Sequence, residues 1–273
     1  MRLELNNGVA VVTGAASGIG RATALALAAR GCHLALADRN AAGLAATAAQ
    51  ARGVRVSQHV LDVADDLAVA ALPEQVLAEH GRATILLNNA GVALVGSFAE
   101  VSLEEFRWLI EINFLATVAL TKAFLPALLA QPQAQIVNIS SVFGIIAPAH
   151  QAAYAAAKFA VRGFSEALRH ELAGGRVGVT VVHPGGIRTA IATSARVAAA
   201  ADATRAATDA LAFTAAMRTT PEQAAAALVR AIERRDKRLL IGADARAIDL
   251  AQRLMPVRYW GVLEWLYARL VPR

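Results

Sequence analysis

The chain has 273 residues, 27 Lys/Arg against 21 Asp/Glu, a formal net charge of +6, and 56% hydrophobic residues. That length supports a large core, and α/β folds of this size commonly form one domain. No linker, internal repeat or charge run marks a boundary, so one domain over 1–273 is expected; the positive balance comes without a nucleic-acid-binding motif.

Cys32 is the only cysteine, which rules out an intrachain disulfide and suits a small core residue. His33, His59, His80, His150, His170 and His183 are scattered without paired spacing, so no metal site is expected. The start, Met-Arg-Leu-Glu-Leu-Asn-Asn-Gly, lacks the apolar stretch of a signal peptide. No continuous run of 18 apolar residues occurs, so no membrane span is expected and the cytoplasm is the expected location.

In chain order, Val9-Ala-Val-Val-Thr-Gly-Ala-Ala-Ser-Gly-Ile-Gly20 reads as an apolar strand, a glycine-rich turn and the start of a helix. Gly14, Gly18 and Gly20 stand where a chain must turn tightly and bring bare backbone close to a ligand. The helix start offers free amides and a positive dipole end to a pyrophosphate. A second run, His33–Ala37, ends in Asp38, eighteen residues after Gly20, where a carboxylate suits the ribose hydroxyls of an adenine dinucleotide. Arg39 pulls the other way, because a guanidinium there can clamp a 2′-phosphate.

Further apolar runs at Val54–His59, Thr84–Leu87, Gln135–Ile139, Gly178–Val182 and Arg238–Ile241 bring the expected strands to seven. Several show little alternation, as in strands covered on both faces. Alanine- and leucine-rich helical segments lie between them, so the expected fold is a single-domain, Rossmann-like, doubly wound parallel sheet with helices on both faces.

Asn138-Ile-Ser-Ser141 and Tyr154-Ala-Ala-Ala-Lys158 carry the chemistry. A phenol and an amine four residues apart share one face of a helix. With the Ser141 hydroxyl they can polarise a carbonyl and exchange a proton with its oxygen. A tyrosine titrates near ~10, and the Lys158 cation is expected to lower that value so that Tyr154 can serve as acid/base.

Together these segments resemble the short-chain dehydrogenase/reductase family. Thr13-Gly14-Ala-Ala-Ser17-Gly18-Ile19-Gly20 fits its glycine turn, Asp62-Val63 its adenine-side pair, and Asn88-Asn89-Ala90-Gly91 its Asn-Asn-Ala-Gly strand end. Ser141, Tyr154 and Lys158 fit its catalytic trio, with thirteen residues from serine to tyrosine, and Pro184-Gly185-Gly186-Ile187-Arg188-Thr189 fits the segment lying against the nicotinamide. The resemblance covers about Asn6 to Arg188, and no catalytic position is substituted.

The resemblance implies hydride transfer between a nicotinamide cofactor and a secondary alcohol or ketone. Tyr154 would exchange the proton, Ser141 hold the oxygen and Lys158 hold the nicotinamide ribose, while Asn113 fixes a water that relays protons. In the family a carboxylate such as Asp38 signals NAD, and NADP users often carry a basic residue where this chain has Ser17, so NAD is favoured over NADP. An NADPH-dependent carbonyl reductase is the alternative. A dinucleotide-binding sensor or scaffold is a second one, which the intact Asn113, Ser141, Tyr154 and Lys158 argue against. Family members are usually dimers or tetramers built on the helices bearing Asn113 and Tyr154, so a homodimer or homotetramer is expected.

By the same resemblance, residues 190–220 close over the substrate. Phe143, Ile145 and Ile146 after the serine, with His150, Gly186, Leu211, Phe213 and Met217, are expected to make an apolar wall. Arg188 and Arg196 are the nearby charges, and a bulky or lipophilic alcohol or ketone is the expected substrate. His183, just before Pro184, can touch the cofactor region, but a surface or satisfied histidine is the favoured reading. Residues 243–273 extend beyond a minimal family member as a helical tail with Tyr259, Trp260, Trp265 and Tyr267. Residues 218–273 hold 11 Lys/Arg and 6 Asp/Glu, against 16 and 15 in the first 217. Such a basic, aromatic segment can seat on a membrane surface, but packing against a neighbouring subunit or over the active-site mouth is the favoured expectation.

Overall fold

The computed structural model describes residues 2–261, apart from the side chains of Arg205, Asp209, Ala212, Phe213 and Ala216. Trp265 and Tyr267 of the tail, and the Phe213 side chain of the expected wall, therefore lie outside the described residues.

Seven parallel strands form one sheet: β1 (Val9–Thr13), β2 (His33–Asp38), β3 (Val56–Val60), β4 (Ile85–Asn88), β6 (Ala134–Ile139), β7 (Val177–Pro184) and β9 (Arg238–Ile241). Their order is β3-β2-β1-β4-β6-β7-β9, with Val12 beside Leu36 on one side and Leu87 on the other. Chain order reverses between β1 and β4, and such a switch point opens a crevice at the carboxyl ends of the strands. The strand count and parallel sense agree with the sequence expectation, while boundaries shift by one or two residues: the run at Val54–His59 pairs as Val56–Val60.

The near-continuous hydrophobicity of the strands follows from their burial on both faces. Side chains alternate along a strand, so Ala10 and Val12 face one way, packing with Leu27 of α1 (Gly18–Ala28) and Leu228 and Ile232 of α8 (Pro221–Arg234). Val9 and Val11 face the other way, toward Leu72 and Val76 of α3 (Asp66–His80) and Leu120, Phe124 and Leu128 of α5 (Ala116–Leu129). Cys32, between α1 and β2, is fully buried, and burial pushes its thiol up to about 12.

Asn113 lies where α4 (Leu103–Ile110) runs into α5 through a π-helical segment, Glu111–Leu115. The continuous helix Leu103–Leu129 is long and apolar enough to cross a membrane by length and composition. Its residues Leu109, Leu120, Phe124 and Leu128 are fully buried in the core, while Leu103, Leu115 and Leu129 are exposed. A short parallel pair, β5 (Leu94–Val95) with β8 (Arg196–Val197), was not expected from the sequence.

The carboxyl ends of the central strands are joined by a buried amide chain. Asn88 Nδ2 donates to Thr121 Oγ1 at 3.0 Å and to Asn138 Oδ1 at 2.9 Å, and Asn138 Nδ2 donates to Ser165 Oγ at 2.9 Å. This fixes β4, β6, α5 and α6 (Ala152–Glu171) relative to one another beneath the crevice.

Candidate active site

The glycine turn after β1 is held by groups on neighbouring strands. Thr13 Oγ1 accepts from the Asn89 and Ala90 amides at 3.0 and 3.1 Å, and Asn89 Nδ2 donates to the Thr13 carbonyl at 2.9 Å. Asn89 thus acts on the turn itself. A Cβ on Gly14 would stand 2.7 Å from Asn89 Nδ2, and one on Gly20 would overlap the Gly14 carbonyl, so side chains are excluded there on steric grounds. At Gly18, with φ +53, a Cβ would lie 3.2 Å from Thr189 Cγ2, which brings the two cofactor segments of the sequence face to face.

Ser17 takes the N-cap position of α1 in an extended conformation, and its side chain makes no cap hydrogen bond. The first-turn amides and the dipole end of α1 therefore stay available to an anion. Asp38, half-buried at the end of β2, accepts from the Ala16 amide at 3.0 Å and from the Asn40 amide at 2.9 Å, one on each carboxylate oxygen. Each oxygen keeps further acceptor capacity. Arg39 is exposed at the same strand end, Asp62 is exposed past β3, and Val63 beside it is buried. Ile19 is half-buried in α1. The cradle is bare of side chains where a pyrophosphate would lie and carries a carboxylate where a ribose would lie, so these residues fit an adenine dinucleotide.

Tyr154 and Lys158 stand one turn apart on α6, with Lys158 Nζ 5.6 Å from the tyrosine ring centroid. Lys158 Nζ donates to the Ile139 carbonyl at 3.1 Å, and a Cβ on Gly91 would sit 3.6 Å from it and 3.0 Å from Asn113 Oδ1. The absence of a side chain at Gly91 leaves room for these groups to meet. Both ends of the Asn113 amide bond the Val92 backbone at 2.8 Å, so this side chain shapes the Gly91–Val92 corner.

Ser141 caps a 3₁₀ turn, Val142–Gly144, its hydroxyl accepting from the Phe143 amide at 3.1 Å. Phe143 meets the Tyr154 ring edge-on, 6.0 Å between centroids.

The electrostatics differ from the expectation that Lys158 depresses Tyr154. Burial pushes the tyrosine up to about 12, with the hydrogen-bonded Ser141 hydroxyl pulling the other way. Burial also pulls Lys158 down to about 8. The reason is desolvation, which penalises the charged form of both groups at once. In the chain without cofactor the phenol is held protonated.

On the substrate side the pieces are less gathered. Met217 is buried, and its Cα would stand 3.3 Å from a Cβ on Gly186; Ile187 bridges to Thr219. Ile145 and Ile146 are buried, while Phe143 is partly exposed. His150, at φ +62, lines a small cavity with Leu94, Phe98, Val101 and Phe106. Leu211 is 67% exposed on α7 (Ala203–Ala216), facing solvent. Arg196, one of the two charges expected near the substrate, is engaged elsewhere: it stacks on Trp108 at 5.0 Å and faces the Glu105 carboxylate at 3.8 Å.

A sequence model described as short chain dehydrogenase matches residues 8–200. The chain belongs to the short-chain dehydrogenase family. It is 44% identical over 256 residues to the SadH protein of Mycobacterium tuberculosis, covering 92% of each. A short chain dehydrogenase/reductase from Burkholderia phymatum, solved in complex with NAD, is similar with a TM-score of 0.85 and 31% identity, over 92% of this chain and 94% of that one. An alcohol dehydrogenase from the archaeon Thermococcus sibiricus, complexed with 5-hydroxy-NADP, has a TM-score of 0.73 and 27% identity, over 86% and 95%.

In this short-chain dehydrogenase several working residues carry no motif. Glu105, nearly fully buried, accepts from the Ser102 amide at 2.9 Å and the Ala199 amide at 3.0 Å; these bonds, with Arg196, hold its carboxyl below the usual range. It fastens the substrate-side segment to α4. Its only sequence signal is the Ser102-x-x-Glu105 capping box.

His183 is fully buried and bonds the Ser141 carbonyl through Nδ1 at 2.9 Å. Burial pulls it to about 4, so it stays neutral and donates from that nitrogen. It supports the serine strand end from below, a role its place before Pro184 did not disclose.

Proposed function

We propose that the chain interconverts a secondary alcohol and a ketone with a nicotinamide dinucleotide, Tyr154 exchanging the proton at the substrate oxygen. The observation that carries this reading is the grouping of the Tyr154 phenol, the Ser141 hydroxyl hydrogen-bonded to it and the Lys158 amine at one end of a crevice whose other end is the glycine turn. Gly14, Ser17, Gly18, Ile19 and Gly20 would hold the pyrophosphate, Asp38 the adenosine ribose, and Asp62 and Val63 the adenine side. Ala90, Gly91, Pro184, Gly185, Ile187 and Thr189 would flank the nicotinamide. The bound cofactor supplies the hydride acceptor or donor.

Ser141 orients the substrate oxygen beside the phenol. Lys158 binds the nicotinamide ribose and carries charge toward the tyrosine. Phe143, His150, Gly186 and Met217 would border the pocket of a bulky or lipophilic substrate, with Leu211 on the outer face of the covering helix instead of in the wall. Asp38 repels a 2′-phosphate, so NAD is preferred to NADP, although Arg39 adjoins it.

A second reading has one observation in its favour. A phenol kept protonated by burial is in the form that donates to a carbonyl oxygen, which suits ketone reduction with NADPH or NADH. Either direction goes with a cytoplasmic homodimer or homotetramer joined across α5 and α6, whose surface leaves Leu129 and Phe159 exposed.

Two titrations with NADH and NADPH, following nicotinamide fluorescence, test the cofactor site. Tighter NADH binding is expected, and loss of binding to both would overturn the reading of residues 13–38. Tyr154→Phe is expected to lower turnover by about a thousandfold while cofactor binding is retained. Retained turnover would sink the assignment.

A further inference from the structure

Helix α9 (Ala243–Leu254) and the residues after it, 255–261, lie beyond residues 8–200, the stretch matched to the family. Two hydrogen bonds run from this segment to two different loops of the active site. At its start, Asp244 Oδ2 accepts from the Gly186 amide at 2.6 Å. A Cβ on Gly185 or on Gly242 would overlap the Asp244 carboxylate, so both glycines are shaped to this one side chain. At its end, the Tyr259 hydroxyl accepts from the Ala147 amide at 3.2 Å. Ala147 closes the loop that begins at Ser141 and contains Phe143, the ring edge-on to Tyr154.

The helix between these two points is itself fastened. Asp249, almost fully buried, takes both terminal guanidinium nitrogens of Arg238 at 3.0 and 2.6 Å and Arg253 at 3.0 Å. The spacing between Asp244 and Tyr259 is therefore set by a pinned helix.

We propose that Ala243–Gly261 is a positioning clamp for the active site. Asp244 sets the Pro184-Gly185-Gly186 loop for the cofactor, and Tyr259 sets the Ser141–Ala147 loop for the substrate. Neither is a catalytic residue. Each acts by holding a loop, and small misplacements of reacting groups are expensive in rate. The clamp rests on the alcohol–ketone reading for its consequences but not for its geometry.

The test uses the full chain, with NADH for the binding titrations and NAD+ with 2-octanol for turnover. Asp244→Ala should weaken NADH binding by about five- to tenfold, the effect of one charge-assisted hydrogen bond. Asp244→Asn keeps an oxygen acceptor and should return NADH affinity to within about twofold of wild type. Tyr259→Phe should leave NADH affinity unchanged and raise KM for 2-octanol about fivefold, with faster amide hydrogen exchange in residues 142–149.

Equal exchange in wild type and Tyr259→Phe would overturn the clamp. So would a loss of NADH affinity common to both Asp244→Ala and Tyr259→Phe, since that is what general destabilisation produces. Failure of Asp244→Asn to restore binding would overturn the hydrogen-bond role of Asp244. A wild-type chain that binds NADH but leaves 2-octanol untouched counts against the substrate class proposed above, while the exchange and NADH measurements still decide the clamp.

Discussion

The cofactor side and the substrate side of the crevice are built by opposite means. On the cofactor side, Asn89 and Asp38 bond the backbone of the glycine turn, Thr13 at its root takes the Asn89 and Ala90 amides, and no side chain can enter at Gly14 or Gly20. On the substrate side, the segment after Thr189 is tied at its root by the β5–β8 pair and by Glu105, and its helix carries an exposed Leu211. The first is a rigid cradle for a constant ligand. The second is a tethered cover whose surface can vary without disturbing the sheet, as loops on a rigid scaffold commonly do.

The largest effect on the cofactor side is expected from Gly20→Ala. Its methyl group would collide with the Gly14 carbonyl, a backbone atom that cannot swing aside. NADH affinity should fall by more than about a hundredfold, with about 3 kcal/mol of stability lost by overpacking. Fluorescence titration and denaturant unfolding read both. Unchanged NADH binding would mean that the cradle is looser than its contacts indicate.

Lys158→Met probes the junction of the two sides. Holding a buried ammonium with a pKa pulled from 10.5 to about 8 opposes folding at neutral pH. Removing it should stabilise the cofactor-free chain by about 2 kcal/mol once the lost bond to Ile139 is allowed for. The sign with pH follows. Between about 8 and 10.5 the unfolded chain keeps a lysine proton that the folded chain has shed, so wild-type stability rises with pH and the variant's advantage shrinks. Unfolding curves of the two proteins at pH 7 and pH 10 check this, and an advantage that grows with pH would contradict it.

Glu105→Ala should act on the substrate side alone. It removes the capping box of α4 and the tie to Ala199, for about 2 kcal/mol of stability, and KM for a lipophilic alcohol should rise while NADH affinity is unaffected. Smallest of all, Leu211→Ser should change stability by less than about 0.5 kcal/mol, and any effect should appear in substrate size preference. A large loss of stability would place Leu211 in a packed interface.

How legible each side was follows from the same difference. The glycine turn, Asp38 and the Tyr154–Lys158 pair are local patterns, with spacings set by one turn, one strand and one helical repeat. The tie between Leu94–Val95 and Arg196–Val197 joins two-residue strands about a hundred residues apart, with no periodicity to mark them. The π segment at Asn113 leaves no mark in the apolar pattern of its helix. The engagement of Arg196 leaves no sequence signal because neither Trp108 nor Glu105 adjoins it in the chain. The balance that raises Tyr154 depends on burial, which a motif does not carry.

The sealed environment of Cys32 gives the chain a built-in clock. It is the only thiol in the sequence, fully buried where α1 meets β2, and protonated at any ordinary pH. Only the thiolate attacks a disulfide reagent, so modification must wait for that corner to open. The labelling rate in native buffer therefore times the excursions of the α1–β2 corner, at the opposite end of α1 from the glycine turn, and a bound dinucleotide that stabilises the fold should slow it.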